Sequence, residues 1–221
     1  VGSLALNANT TANNNTAVGY NCLTANTTGT DNTSVGKSSL AANTTADNNT
    51  AVGVAALLSN TTASNNTAVG KSALNSNTTG NQHVAVGDSA LSANTTGIYN
   101  TAVGYFASNA NTTGQQNVAM GWWALKVATT GSYNTSVGAI SGVSVTTGNR
   151  NSFVGNSSGS GITSGSDNTF FGYRAGGQTT TADDNTAVGK EALYNNSTGG
   201  GNTAVGRDAL TSNSTGGNNT A

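Results

Sequence analysis

The chain has 221 residues, of which 7% are charged; it holds 30 Gly, no Pro, one Cys and a formal net charge of −1. That balance leaves no basic footprint for nucleic acid and no acidic tail, and a lone cysteine excludes a disulfide framework or a cysteine-rich zinc site. No apolar run is long enough for a transmembrane helix and no signal peptide is expected, so membrane insertion is not part of the reading.

Two polar classes remain, disorder and repeats, and the register decides between them. Apolar-Gly pairs place a glycine at Gly2, Gly19, Gly36, Gly53, Gly70, Gly87, Gly104, Gly121, Gly138, Gly155, Gly172, Gly189 and Gly206, always 17 residues apart. Disordered chains hold no such register, and fixed periods are the signature of stacked repeat units. Collagen is excluded because Gly does not recur every third residue. The expectation is one continuous array over residues 1–221, without caps, cut from a longer fibre.

With the glycine as position 0, the consensus is Gly-x-x-Ala-Leu-x-x-Asn-Thr-Thr-Gly-x-x-Asn-Thr-Ala-Val. Position 4 is Leu in nine copies, position 9 is Thr in 12, and position 16 is Val in 11. Asn, Thr and Gly are poor helix formers and 17 residues leave no room for a helical hairpin. Two short β segments fit instead, roughly Asn-Thr-Thr after the glycine and Asn-Thr-Ala-Val before the next one. One turn of chain per repeat makes an all-β fold, a parallel β-solenoid of 13 rungs stacked about 4.8 Å apart.

Stacking aligns like residues. Position 13 becomes a ladder of amides, Asn15, Asn32, Asn49, Asn66, Asn100, Asn117, Asn134, Asn151, Asn168, Asn185, Asn202 and Asn219, with His83 substituting in one rung. Val at 16 and Leu at 4 become apolar columns, and position 0 requires a tight corner. Where Leu is lost at Gly142, Gly159 and Gly176, Phe153 and Phe170 enter at position 15 and Phe171 at position 16. Large replaces small where large was lost, as a volume-conserving core requires. Positions 15 and 16 face opposite sides of a strand. One side fills the interior, and the other calls for a second apolar surface, such as another chain.

The run Asn66-Thr67-Ala68-Val69-Gly70-Lys71-Ser72-Ala73 resembles the head repeat of trimeric autotransporter adhesins, the YadA-like heads, and related repeats of phage tail fibres. The resemblance implies a left-handed β-roll, a homotrimer and an extracellular, cell-surface or virion-surface location. The family unit is shorter, and the extra residues here lie in the arm typified by Leu91 to Gly97.

Catalytic chemistry is not expected. His83 stands in the Asn column, Asp183-Asp184 is a turn pair, Cys22 takes a small-residue position, and Gly199-Gly200-Gly201 lacks the Lys-Ser/Thr and helix of a phosphate loop. No cofactor or metal is implied. Three surfaces bear on binding. Tyr105 and Phe106, with Trp122 and Trp123 one repeat later, could contact glycans or a partner. Asn9, Asn26, Asn43, Asn60, Asn77, Asn94, Asn111, Asn196 and Asn213 each begin an Asn-x-Thr pattern, read either as N-glycan acceptors or as a second ladder. The Thr columns at 8 and 9 offer an ordered hydroxyl array of the kind that binds ice. The leading expectation is a non-enzymatic fibre shaft, a homo-oligomer or filament with possible cell-surface glycan partners. The alternative is a binding surface carried on a solenoid.

Overall fold

A computed structural model describes all of residues 1–221. The chain forms two compact units, Val1–Thr113 and Gly114–Ala221. Each is a parallel β-solenoid with one turn per 17 residues and no helix.

The first unit contains β1 (Thr16–Val18), β2 (Thr33–Val35), β3 (Thr50–Val52), β4 (Thr67–Val69), β5 (Val84–Val86) and β6 (Thr101–Val103). Each pairs with the next in strict register, Thr50 with Thr67, Ala51 with Ala68 and Val52 with Val69. The second unit contains β7 (Val118–Met120), β8 (Thr135–Val137), β9 (Ser152–Val154), β10 (Thr169–Phe171), β11 (Thr186–Val188) and β12 (Thr203–Val205). It keeps the same register, Phe170 pairing with Phe153 and Ala187. The expected second strand, Asn-Thr-Thr at positions 7 to 9, is not one: it bends between the residues that flank it. Its amides still bond the neighbouring rung, Thr44 N–H donating to the Thr61 carbonyl at 3.0 Å.

Rung-to-rung bonding therefore runs around the whole turn, and four positive-φ positions make that possible. Positions 0, 2, 4 and 12 have φ > 0 in every repeat, with non-glycine values between +46° and +63°. Residues of this kind let the chain turn a corner while its peptide groups stay parallel to the stacking axis. Each of the four donates its own N–H to an adjacent rung: Gly53 to the Val35 carbonyl, Ala55 to Lys37, Leu57 to Ala73 and Asn65 to Asp47, at 2.8, 2.9, 3.0 and 3.2 Å. Leu in this region is disfavoured by roughly 1 kcal/mol. Burying the side chain, worth about 2 kcal/mol, offsets that, and Leu57 and Leu74 are fully buried. At position 0 an added side chain meets the backbone of the following rung wherever one is stacked on it. Gly70 has φ +139°, and an added Cβ would stand 2.4 Å from the Gly87 carbonyl oxygen.

The interior has an apolar half, from positions 3, 4 and 15, and an amide half, from positions 7, 10 and 13. The Ala-Val pair resolves accordingly: position 15 points in and position 16 points out, as the strand pattern of β4 illustrates. The Val column is thus an outer feature and not part of the interior. Phe153 and Phe170 are fully buried, 5.6 Å apart between ring centroids. A Cβ on Gly142 or Gly159 would lie 2.8 or 2.6 Å from the Phe153 ring, and one on Gly176 would lie 2.2 Å from Phe170. The two rings occupy the space vacated by three leucines, as the sequence pattern implied. Serine enters this half twice as a couple, and also as Ser158, whose Oγ donates to the Phe170 carbonyl at 2.9 Å. Ser34 Oγ bonds Ser39 Oγ at 2.6 Å, and Ser136 pairs with Ser141 in the same way.

This exchange gives a test. Phe153→Ala leaves a cavity and should destabilise by about 3–5 kcal/mol, and Gly159→Leu alone should clash. The double variant restores the common rung and should lose much less than the sum of the singles in denaturant unfolding. Strict additivity would contradict the shared-volume account.

Candidate functional site

The amide half is the chemically richest part of each rung. In column 13, Asn32 N–H donates to Asn15 Oδ1 at 2.9 Å, and Asn32 Nδ2 donates to the Ala46 carbonyl at 2.8 Å. Asn32 thus ties its rung to both neighbours, by its backbone N–H to the rung before and by its carboxamide to the rung after, where Oδ1 accepts the Asn49 N–H at 3.0 Å. Column 7 is a second ladder: Asn43 Nδ2 donates to Asn26 Oδ1 at 2.9 Å, and Asn60 Nδ2 to Asn43 Oδ1 at 3.1 Å. The same Nδ2 of Asn43 reaches the Ala46 carbonyl at 3.1 Å. One position-10 carbonyl therefore collects donors from both columns.

This geometry corrects the glycan-acceptor reading of column 7. Asn26, Asn43, Asn60, Asn77, Asn94, Asn111 and Asn196 are fully buried, and Nδ2, the atom a glycan would occupy, is a ladder donor facing the interior in Asn26, Asn77, Asn94 and Asn111 as well. Asn9 and Asn213 are less enclosed but belong to the same column, Asn9 accepting from Asn26 and Asn213 donating to Asn196. The second-ladder reading holds. In the second unit Ala128, Val145, Ile162 and Thr179 replace Asn in column 7 and are also buried. Over the same stretch column 13 adds direct side-chain links, Asn151 Nδ2 to Asn134 Oδ1 and Asn168 Nδ2 to Asn151 Oδ1, both 3.1 Å.

A third ladder lies at position 11, which sequence reasoning did not find. Thr30 N–H donates to Asp47 Oδ1, Asp47 N–H to Ser64 Oγ and Ser64 N–H to Asn81 Oδ1, at 2.6, 3.0 and 2.7 Å. Asp183 joins it by accepting from Ser166 N–H at 2.7 Å. The signal was a run of short oxygen-bearing side chains, hidden by their differing identities. Position-8 threonines are also engaged. Thr27 Oγ1 donates to Thr44 O and Thr44 Oγ1 to Thr61 O, both 3.1 Å. Of the adjacent Thr pair, position 8 is half-buried and position 9 exposed in the inner rungs, so the more exposed threonines run in single file, as adjacent residues on opposite faces require.

His83 reproduces the amide it replaces. Nδ1 accepts the Asn100 N–H at 3.1 Å, which makes Nε2 the protonated nitrogen, and Nε2–H donates to the Gly97 carbonyl at 2.7 Å. Burial pulls its pKa down from 6.5 to about 4, opposed by those backbone hydrogen bonds. Cys22 is buried with its thiol against the Gly19 carbonyl, and burial raises its pKa.

Outside, positions 14 and 16 present Thr and Val columns on one face. Phe171 at 56% and Met120 at 42% exposure interrupt the Val column in the second unit. In the first unit Tyr105 and Phe106 meet edge to face, centroids 4.5 Å apart. In the second, Trp122 and Trp123 stack at 4.4 Å and 22°, and Lys126 Nζ lies 3.7 Å from the Trp123 ring centroid. No family model, curated protein or solved structure matches the chain.

Two outcomes follow from the ladders. Because the folded pKa of His83 is below its unfolded value, its contribution is complete above pH 6.5 and is lost as pH falls toward 4. The full span corresponds to about 3 kcal/mol. His83→Asn should flatten the pH dependence of the unfolding midpoint in that window. Asn60→Ala should destabilise by about 1–3 kcal/mol at neutral pH by stranding Asn43 Oδ1, while the Ala63 carbonyl keeps its second donor, Asn49 Nδ2; an unchanged unfolding midpoint would discount the column.

Proposed function

We propose that this chain is the shaft of a non-enzymatic extracellular fibre, a structural and adhesive element of the kind its repeats resemble in trimeric autotransporter heads and tail fibres. The supporting observation is that, within each unit, rungs are hydrogen-bonded to their neighbours around the turn by backbone and by the column-13 ladder, with the column-7 and position-11 ladders added where their residues are polar. Such bonding gives stiffness without a thick apolar core. Three titratable side chains serve the stack. The one histidine is a neutral ladder member, and Asp47 and Asp183 accept rung amides. A shaft outside the cell also suits a chain of low charge with one buried thiol.

Chains associate side by side through the outward face of the strands. Val35, Val52 and Val69 are half-buried there within one chain, and a partner would cover the remainder. A trimer is the favoured assembly.

Absolute mass by light scattering tests this. About three times 21.7 kDa is expected, falling to a single-chain mass when Val52→Lys and Val69→Lys are combined, with the circular dichroism of the β-structure retained. A single-chain mass for the unaltered protein at tens of micromolar would sink the shared-face assembly.

A further inference from the structure

We infer that Trp122, Trp123 and Lys126 form a stacking platform for an acidic saccharide. This goes beyond the shaft reading and does not depend on it. The three residues occupy positions 1, 2 and 5 of one rung. Trp123 has φ +60°, a conformation that other rungs give to Asn21, Ser38 and Ser72 and also to Phe106 and Ile140. A bulky aromatic is disfavoured there, and the interior gains nothing from it, because position 2 lies outside the apolar half. What the residue achieves is on the surface: it supports Trp122, whose ring stacks on it and remains 45% exposed.

A turn fixes the third member. Lys126 N–H donates to the Trp123 carbonyl at 3.3 Å, and the side chain folds back so that Nζ lies 3.7 Å from the Trp123 ring centroid. The ammonium is thereby held at the edge of an aromatic ledge, with its stem ordered by the contact. The electron-rich face of an indole attracts the polarised C–H groups on the flat side of a pyranose, and a neighbouring ammonium adds recognition of a carboxylate. Charge supports the acidic choice: Lys126 is the only charged residue between Asp88 and Arg150.

The chain's only two tryptophans are these two, so intrinsic fluorescence reports on the platform alone. Titration with trigalacturonic acid should give a saturable change in emission. Cellotriose, neutral and similarly stacked, should bind at least tenfold more weakly. Trp122→Ala, read through Trp123, should weaken the acidic sugar at least tenfold, and Lys126→Gln should bring it level with cellotriose. Position 1 is Ala139 in the following repeat, so Trp122→Ala should leave the unfolding midpoint unchanged. No saturable response, equal binding of the two sugars, or binding that survives Trp122→Ala would overturn the inference. So would a concentration-dependent emission change without sugar, which would assign the ledge to self-association.

Discussion

The position-10 carbonyl is the point on which each rung depends. It accepts from column 13 of the rung before and, where column 7 is Asn, from that residue of its own rung as well, as Ala46 does from Asn32 and Asn43. Buried amides are tolerable only when their donors and acceptors are met, and each unmet group costs about 1–3 kcal/mol. Here a copy of the same unit, displaced along the stack, supplies partners in both columns, as Asn26 does for Asn43 and Asn49 for Asn32. A shift of one residue would misalign both columns at once. That penalty explains a 17-residue period without a single insertion. It also explains why His83 is accepted, since its two nitrogens match the acceptor and donor of the carboxamide in the same places.

Left-handed backbone geometry is the second requirement, and it is subordinate to the first. The corners at positions 0, 2, 4 and 12 keep peptide groups along the stacking direction, so that the chain never presents an unbonded stretch between columns. The cost of Leu in that geometry is balanced by its burial in the apolar half. Where Gly142, Gly159 and Gly176 take over, the backbone relaxes, with φ of +55° to +58°, and Phe153 and Phe170 restore the volume from across the interior.

Legibility in the sequence followed chemistry. Column 13 could be read because nearly every copy is Asn, and position 0 because only Gly tolerates the approach of the next rung. The Leu-for-Phe exchange was visible as compensating volumes. Which of positions 15 and 16 faces inward was not visible, because Ala and Val are both apolar and a three-residue strand is too short for alternation to declare itself. Column 7 was ambiguous, since Asn-Thr-Thr satisfies two patterns at once, and only burial separates them. Position 11 was hidden because Thr30, Asp47, Ser64 and Asn81 share an oxygen and little else. The Ser34–Ser39 and Ser136–Ser141 couples carried a faint signal in their common spacing of five. The ledge at Trp122 and Trp123 was readable as an aromatic cluster, but the part played by Lys126 needed the turn that folds it back.

An interior half made of amides has a thermodynamic consequence. Exposure of apolar surface raises the heat capacity on unfolding and exposure of polar surface lowers it. The buried side chains here are dominated by Ala and Asn, with one Leu per typical rung. The heat-capacity increment per residue is therefore small for a chain of this length, and the curve of stability against temperature is correspondingly flat. A fold held by stacked hydrogen bonds keeps its strength in the cold, where a core of large aliphatic side chains would lose part of its driving force.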